Sequence, residues 1–287
     1  MRLSVIIPCF NVENVIEDQL QALSQQKWKY DWEIIIADNG SNENIGRIVD
    51  TYKDKLPDIL IVDSTEKKGP AYARNCGVRH ARGEYLAFVD ADDMVSENWI
   101  RHMGEALIRY DFVASNLDLS KLSLPNVLES SLYNRYIGLK HSGVVRYLPY
   151  ASTTGLGIRK KIHELIGGFD EDMQAAEDAD YCWRVQLAGY NLQLYDKAII
   201  YYRRRNTLWK SFKQVMHWGE YDVLLYKKFQ KYNIPKQNKK KALREWLTLI
   251  TKVPKLTESN ERIIWIRNFG QKLGRIKGSL KYRIFVP

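Results

Sequence analysis

Residues 68–93 read KGPAYARNCGVRHARGEYLAFVDADD. The first half, GPAYARNCGVRHA (69–81), has the spacing of a helix. The second, EYLAFVDADD (84–93), is a short continuous apolar run that ends in three acids. The same alternation runs upstream. LSVIIP (3–8) reads as a strand, followed by a helical pattern through Ile16, Leu20 and Leu23. WEIIIAD (32–38) is a second strand, and the polar turn NGSNEN leads into a helix carrying Ile45, Ile48, Val49 and Tyr52. DILIVD (58–63) is a third strand. Continuous apolar strands separated by helices predict an α/β fold, a mostly parallel sheet covered on both faces. Ligands of such sheets bind outside the carboxyl ends of the strands. Those ends carry Pro8-Cys9-Phe10-Asn11, Asp38-Asn39-Gly40-Ser41 and Asp90-Ala91-Asp92-Asp93.

Downstream the pattern is less regular. Residues 112–157 mix short strand-like pieces with a polar stretch, and TTGLGI (153–158) is glycine-rich. RKKIHELIGG (159–168) predicts a short helix closed by glycine. The acidic segment FDEDMQAAEDADYCWRV follows, with helical spacing through Ala179, Cys182, Trp183 and Leu187. NLQLYDKAIIYY (191–202) is a strand, and beyond it lie helical patterns rich in aromatics and lysines.

The 287 residues, 45% of them hydrophobic, can bury a core, which excludes disorder as a global description. No apolar run approaches the ~20 residues of a transmembrane helix. The start MRLSVIIPCFN is too short in apolar residues for a secretory signal. Cys9, Cys76 and Cys182 have no metal-type spacing and read as reduced thiols of a cytosolic protein. The net charge of +10 is divided. Residues 1–202 hold 22 basic against 29 acidic side chains, a balance of −7; residues 203–287 hold 22 against 5, a balance of +17. Opposite electrostatics point to two jobs.

An Asp-x-Asp at a strand end, Asp90 and Asp92, can present two carboxylates to one hard cation. Mg²⁺ and Mn²⁺ are commonly held by one or two carboxylates plus substrate phosphates, which suggests a nucleoside diphosphate. Isolated acidic turns are common, so the context matters. KGPAYARNCGVRHARGEYLAFVDADD, preceded by SVIIPCFN and EIIIADNGS, resembles the family 2 glycosyltransferases over roughly residues 1–205. That resemblance implies the GT-A fold, Rossmann-like, with residues 1–115 as the nucleotide-sugar half and 116–205 as the acceptor half. Residues 206–287 then form a basic, aromatic, helical C-terminal region.

The resemblance also implies roles. Pro8, Phe10, Asn11 and Glu13 would wall the nucleotide pocket, and Asp38 would bond the base, usually uracil. Lys68 and Arg74 would approach the base or the diphosphate. Asp90, next to Ala91, would contact ribose or sugar and share with Asp92 an Mn²⁺ or Mg²⁺ ion. The pair Glu177-Asp178 matches the family's base, with Asp178 the first choice and Glu177 and Asp180 the neighbours in reserve. Local pattern alone offers plainer readings: an Asx turn or helix cap for Asp38, a surface ion pair for Arg74, and helix-dipole acids at 177–180. The expected reaction is inverting transfer of one sugar, from a UDP-sugar first of all, to a glycan or lipid-linked hydroxyl. Two departures bear on this. No Gln-x-x-Arg-Trp motif of processive synthases follows the acids, and Tyr201-Tyr202-Arg203 stands where many members have a metal-binding histidine. Arg203 or Arg204 is a candidate for the diphosphate instead.

A nucleotidyltransferase is the alternative enzyme, disfavoured because Pro8-Cys9-Phe10-Asn11 lacks the glycine and lysine of a phosphate loop. A non-enzymatic membrane or nucleic-acid binder would leave the acids at 90–93 and 177–180 unexplained. The +17 region, with Trp209, Phe212, Trp218, Phe229, Trp246, Trp265 and Phe269, predicts peripheral docking on the cytoplasmic face of an anionic membrane. No nucleic-acid module is recognisable. The same helices are a candidate surface for a homodimer.

Overall fold

A computed structural model describes residues 2–42, 44–122, 136–141, 147–204, 207–234, 239–253 and 259–286. The described residues of 1–122, 135–140 and 150–203 form one compact unit around a nine-stranded sheet. Its first four strands in space, β3 (Ile59–Asp63), β2 (Trp32–Asp38), β1 (Leu3–Cys9) and β4 (Tyr85–Phe88), are parallel. Helices α1 (Ile16–Ser24), α2 (Ile45–Asp50) and α3 (Pro70–His80) supply the crossovers. Alternation along β1 divides the interior: Leu3, Val5 and Ile7 enter one core with Leu20 and Trp99, and Ile6 enters the other with Ala73 and Phe88. Gly77 lets α3 lie close on the sheet, since a Cβ there would stand 2.6 Å from Ile6 Cγ2.

The remainder of the sheet departs from the parallel scheme. β8 (Leu156–Arg159), from the glycine-rich stretch, inserts antiparallel between β4 and β6 (Phe112–Asp118). β9 (Leu192–Tyr201) runs parallel to β6, and its end pairs antiparallel with the two-residue β5 (Met94–Val95). β7 (Tyr136–Ile137) adds to the edge of β6. Helix α4 (Trp99–Arg109) packs on this half, and α5 (Lys160–Leu165) and α6 (Glu177–Leu187) follow β8. The β5–β9 pairing returns the chain at Arg203 to the loop after β4.

Residues 204–286 hold the helices of a second compact unit. These are α7 (Leu208–Phe229), capped by the Thr207 hydroxyl, then α8 (Lys239–Thr251) and α9 (Ser259–Tyr282). Helices α7 and α9 cross at backbone contact through glycines. A Cβ on Gly274 would stand 1.9 Å from Met216 O, and one on Gly219 2.1 Å from Gln271 O. Buried Glu220 is neutralised by Lys277 and Lys281, and Asp222 receives a hydrogen bond from Gln271 at 3.1 Å.

Phe229 is buried, and the partly buried Phe212, Trp246 and Trp265 all ring Phe269. Trp209 and Trp218 remain exposed. No described helix is long and apolar enough to cross a membrane.

Candidate active site

The loops at the carboxyl ends of β1 and β2 are laced together. Asp38 Oδ1 accepts from the Ser41 amide at 3.0 Å and from its hydroxyl at 2.7 Å, an Asx turn. Asn44, not Asp38, caps α2. Asn11, left-handed at φ +53°, donates its amide to Ser41 Oγ at 3.1 Å and accepts from the Asn42 amide at 2.9 Å. Asparagine tolerates that conformation better than most residues. Pro8 pairs in register with Ala37 inside the sheet, and Phe10 stands on the rim. Lys68 Nζ lies 5.2 Å from the Phe10 ring centre and donates to Asn39 O at 3.0 Å.

Asn39 was not among the expected site residues, yet it ties this edge down. Its Nδ2 donates to Ser64 O and Lys67 O, and its Oδ1 accepts from the Gly69 amide at 2.8 Å. Burial of the Cys9 thiol, and then the negative field of Asp38, Glu13, Asp90 and Asp92, push its pKa well up.

Beyond β4 the acids converge. Carboxylate oxygens of Asp90, Asp92 and Asp93 lie within 4.8 Å of one another, with Ala91 buried between them. Asp93, only 1% exposed, accepts from the Arg203 amide at 2.9 Å, and its Oδ2 has no partner. Burial, then Asp90 and Asp92, raise its pKa well above the ordinary carboxylate value. The inserted β8 props this loop: Gly155 N donates to Phe88 O at 2.7 Å, and Asp90 N donates to Thr154 Oγ1 at 3.2 Å. Gly155, at φ +87°, has no room for a Cβ, which would stand 2.6 Å from that of Ser115. The turn TTG thus has a purpose that periodicity does not reveal.

Arg203 Nε donates to Asp92 O at 2.8 Å and its Nη2 to Asp18 at 2.6 Å, so it clamps the acidic loop from behind.

The buried Arg74 side chain, 4% exposed, sends Nη2 to Asp90 at 2.7 Å and Nη1 to Glu177 at 3.2 Å. It joins the acidic loop to the start of α6. Ala176, left-handed at φ +57°, turns the chain into α6. Asp180 is fully buried and paired with Arg184 at 2.8 Å. Asp178 is half-buried and accepts from the Ala179 amide at 2.8 Å. Burial first, and Glu177 next, push its pKa up to about 6, against the opposing pull of Lys140 and Arg74. A carboxylate with that value takes and releases a proton near neutrality.

The Asp38 turn, the acids at 90–93 and Asp178 at the start of α6 thus lie within one compact unit. Residues 4–169 match the family model described as glycosyl transferase family 2. The chain belongs to glycosyl transferase family 2. The glycosyltransferase AglE of Haloferax volcanii is 26% identical over 193 residues, which is 66% of this chain and 62% of that protein. The minor teichoic acid biosynthesis protein GgaA of Bacillus subtilis is 26% identical over 261 residues, 80% of this chain and 55% of that protein. The chain therefore spans little more than half the length of these curated relatives.

Among solved structures, the mannosyltransferase PcManGT from Pyrobaculum calidifontis, in complex with GDP-Man and Mn²⁺, superposes with a TM-score of 0.62. It is 16% identical, over 98% of this chain and 87% of that one. S. aureus TarS 1–349 in complex with UDP-GlcNAc gives 0.56 at 21% identity, over 78% and 66%. These likenesses are of fold. The chain has the GT-A fold of family 2, with a helical C-terminal part.

Proposed function

We propose that the chain transfers one sugar, with inversion, from a nucleoside-diphosphate sugar to a hydroxyl of a glycan or lipid-linked acceptor. UDP is the first nucleotide to try. The observation that carries this reading is the bridge through Arg74, which sets the acidic cluster at 90–93 beside the helix start that bears Asp178.

The donor would lie along the strand ends, its base against the Asp38 turn and its ribose and phosphates toward Asp90. Three carboxylates gathered within 4.8 Å suit a divalent cation such as Mn²⁺ or Mg²⁺. Asp90, Asp92 and Asp93 would hold it, and its charge would ease departure of the diphosphate. Asp178 withdraws the proton of the acceptor hydroxyl as that oxygen bonds to the anomeric carbon. The bond from that carbon to the phosphate oxygen breaks, and the nucleoside diphosphate leaves with the electron pair. A single displacement inverts the centre. Glu177, held by Arg74, keeps the field around Asp178 negative. We place the work of the enzyme at an anionic membrane surface, where the +17 C-terminal region supplies attraction.

Thermal unfolding with UDP, GDP, ADP and CDP, each with and without Mn²⁺, tests the donor reading. One nucleotide should raise the midpoint, and more so with Mn²⁺. No rise with any of them would exclude it.

A further inference from the structure

Helix α8 carries two apolar stripes. Ala242 and Leu249 are buried, and around them Trp246 packs edge-on to Phe269, Trp265 Nε1 donates to Leu249 O at 2.8 Å, and Glu245 pairs with Lys272 at 2.6 Å. That stripe holds α8 to α9. The other consists of Leu243, Leu247 and Ile250, at i, i+4 and i+7, which lie within one narrow sector of the helix. They are 62%, 53% and 66% exposed. Three aliphatic side chains in register thus turn away from the packed face. The helix opens on Lys239-Lys240-Lys241, and Arg244 follows.

We infer that α8 lies in the headgroup region of an anionic bilayer, with Leu243, Leu247 and Ile250 inserted among the acyl chains. A short helix with an aliphatic stripe and basic flanks, too polar to span, suits that depth. Charge selects the occupant. The surrounding region carries +17, so a second copy laid on the same face would bring two strongly positive surfaces together, whereas anionic lipid neutralises one. Phe212, Trp246 and Trp265 pack around Phe269 and Phe229 is buried, which makes the turned-out aliphatic stripe the inserting element. The inference rests on the membrane reading above but names one element of it, so the two can fail separately.

Flotation of the full-length protein with vesicles of phosphatidylcholine containing about one-third phosphatidylserine tests it. The wild type should float, and a fraction should persist in salt high enough to screen charge, because insertion is apolar. Leu243→Ser/Leu247→Ser/Ile250→Ser should weaken binding at least tenfold while nucleotide-induced thermal stabilisation remains as in the wild type. A second measurement does not depend on that variant: Ile250→Cys carrying an environment-sensitive dye should shift to the blue with these vesicles. The three native cysteines are buried, so the label is selective.

Equal flotation of the triple variant and the wild type, with no dye shift, would overturn the role of α8 and leave charge-driven docking standing. A wild type that never floats overturns both. A concentration-dependent dimer that the triple variant abolishes would mean that a second copy covers the stripe, and would also overturn the inference.

Discussion

At the residue scale the account depends on Asp178 and Arg74. A base must be ionised to accept a proton, so with the Asp178 pKa at about 6, kcat/KM should climb as pH rises through that value and then level off. Asp178→Asn keeps the shape and loses the acceptor. Its turnover should fall about 10²–10⁴-fold with donor affinity nearly unchanged, measured by single-turnover kinetics and titration. If Asp180→Asn is the crippling change instead, the assignment is wrong by one helical position pair, although Asp180 is already committed to Arg184. Arg74→Gln removes a buried cation from between two carboxylates. Loss of one partner from a buried ion network costs about 3–5 kcal/mol, and partial exposure of Asp90 places this case toward the lower end. Urea unfolding would show it, and added divalent cation should restore part of the loss by engaging Asp90.

At the scale of elements, α5 and α6 are joined by a buried histidine. His163 is 4% exposed, with Nδ1 2.8 Å from the Tyr181 hydroxyl and its ring against Phe88 and Phe169. Burial, helped by Arg184 and Lys160, lowers its pKa to about 4. The unfolded chain takes up this proton near pH 6.5 and the folded one only near 4, so the protonation favours unfolding. The associated stability is complete above about 6.5 and is lost as pH falls toward 4, by up to about 3 kcal/mol. His163→Gln, which does not titrate, should show a smaller fall in its urea midpoint between pH 7 and 4.5. An equal fall in both proteins would assign the acid sensitivity elsewhere.

Elements with a strong period were legible before any coordinates. β1, β2, β4 and α6 read correctly because burial on both faces, or helical spacing, leaves a local imprint. The order of β8 between β4 and β6 was not legible, since four residues in a glycine-rich turn carry no period and their partners lie far along the chain. Side-chain positions at 38, 74, 90, 92 and 178 were nameable from their motifs; their functional roles remain proposals. The clamps were not nameable: Asn39, Thr154 and Arg203 act through hydrogen bonds to backbone or carboxylate, and no residue type announces such bonds. The glycine contact of α7 and α9 was missed for a like reason, because spaced glycines in a helix look like weak positions until the partner backbone is seen. Gly274→Ala should destabilise this pair by about 1–3 kcal/mol, since backbone atoms cannot yield as side chains do.

At the scale of the whole molecule, a −7 region, proposed above to bind a nucleotide-sugar, is joined in one chain to a +17 region. An acidic catalytic face would by itself repel a diphosphate. A cation held by the proposed site at 90–93 would answer that, so metal dependence is the central claim of the proposal. It is most directly tested by nucleoside-diphosphate release from the preferred nucleotide-sugar with Mn²⁺, for wild type and Asp92→Ala, each with and without EDTA. The account predicts release by the wild type that EDTA abolishes, and at most a small residual rate for Asp92→Ala under either condition. Release that EDTA leaves unchanged, or wild-type turnover by Asp92→Ala, would contradict it.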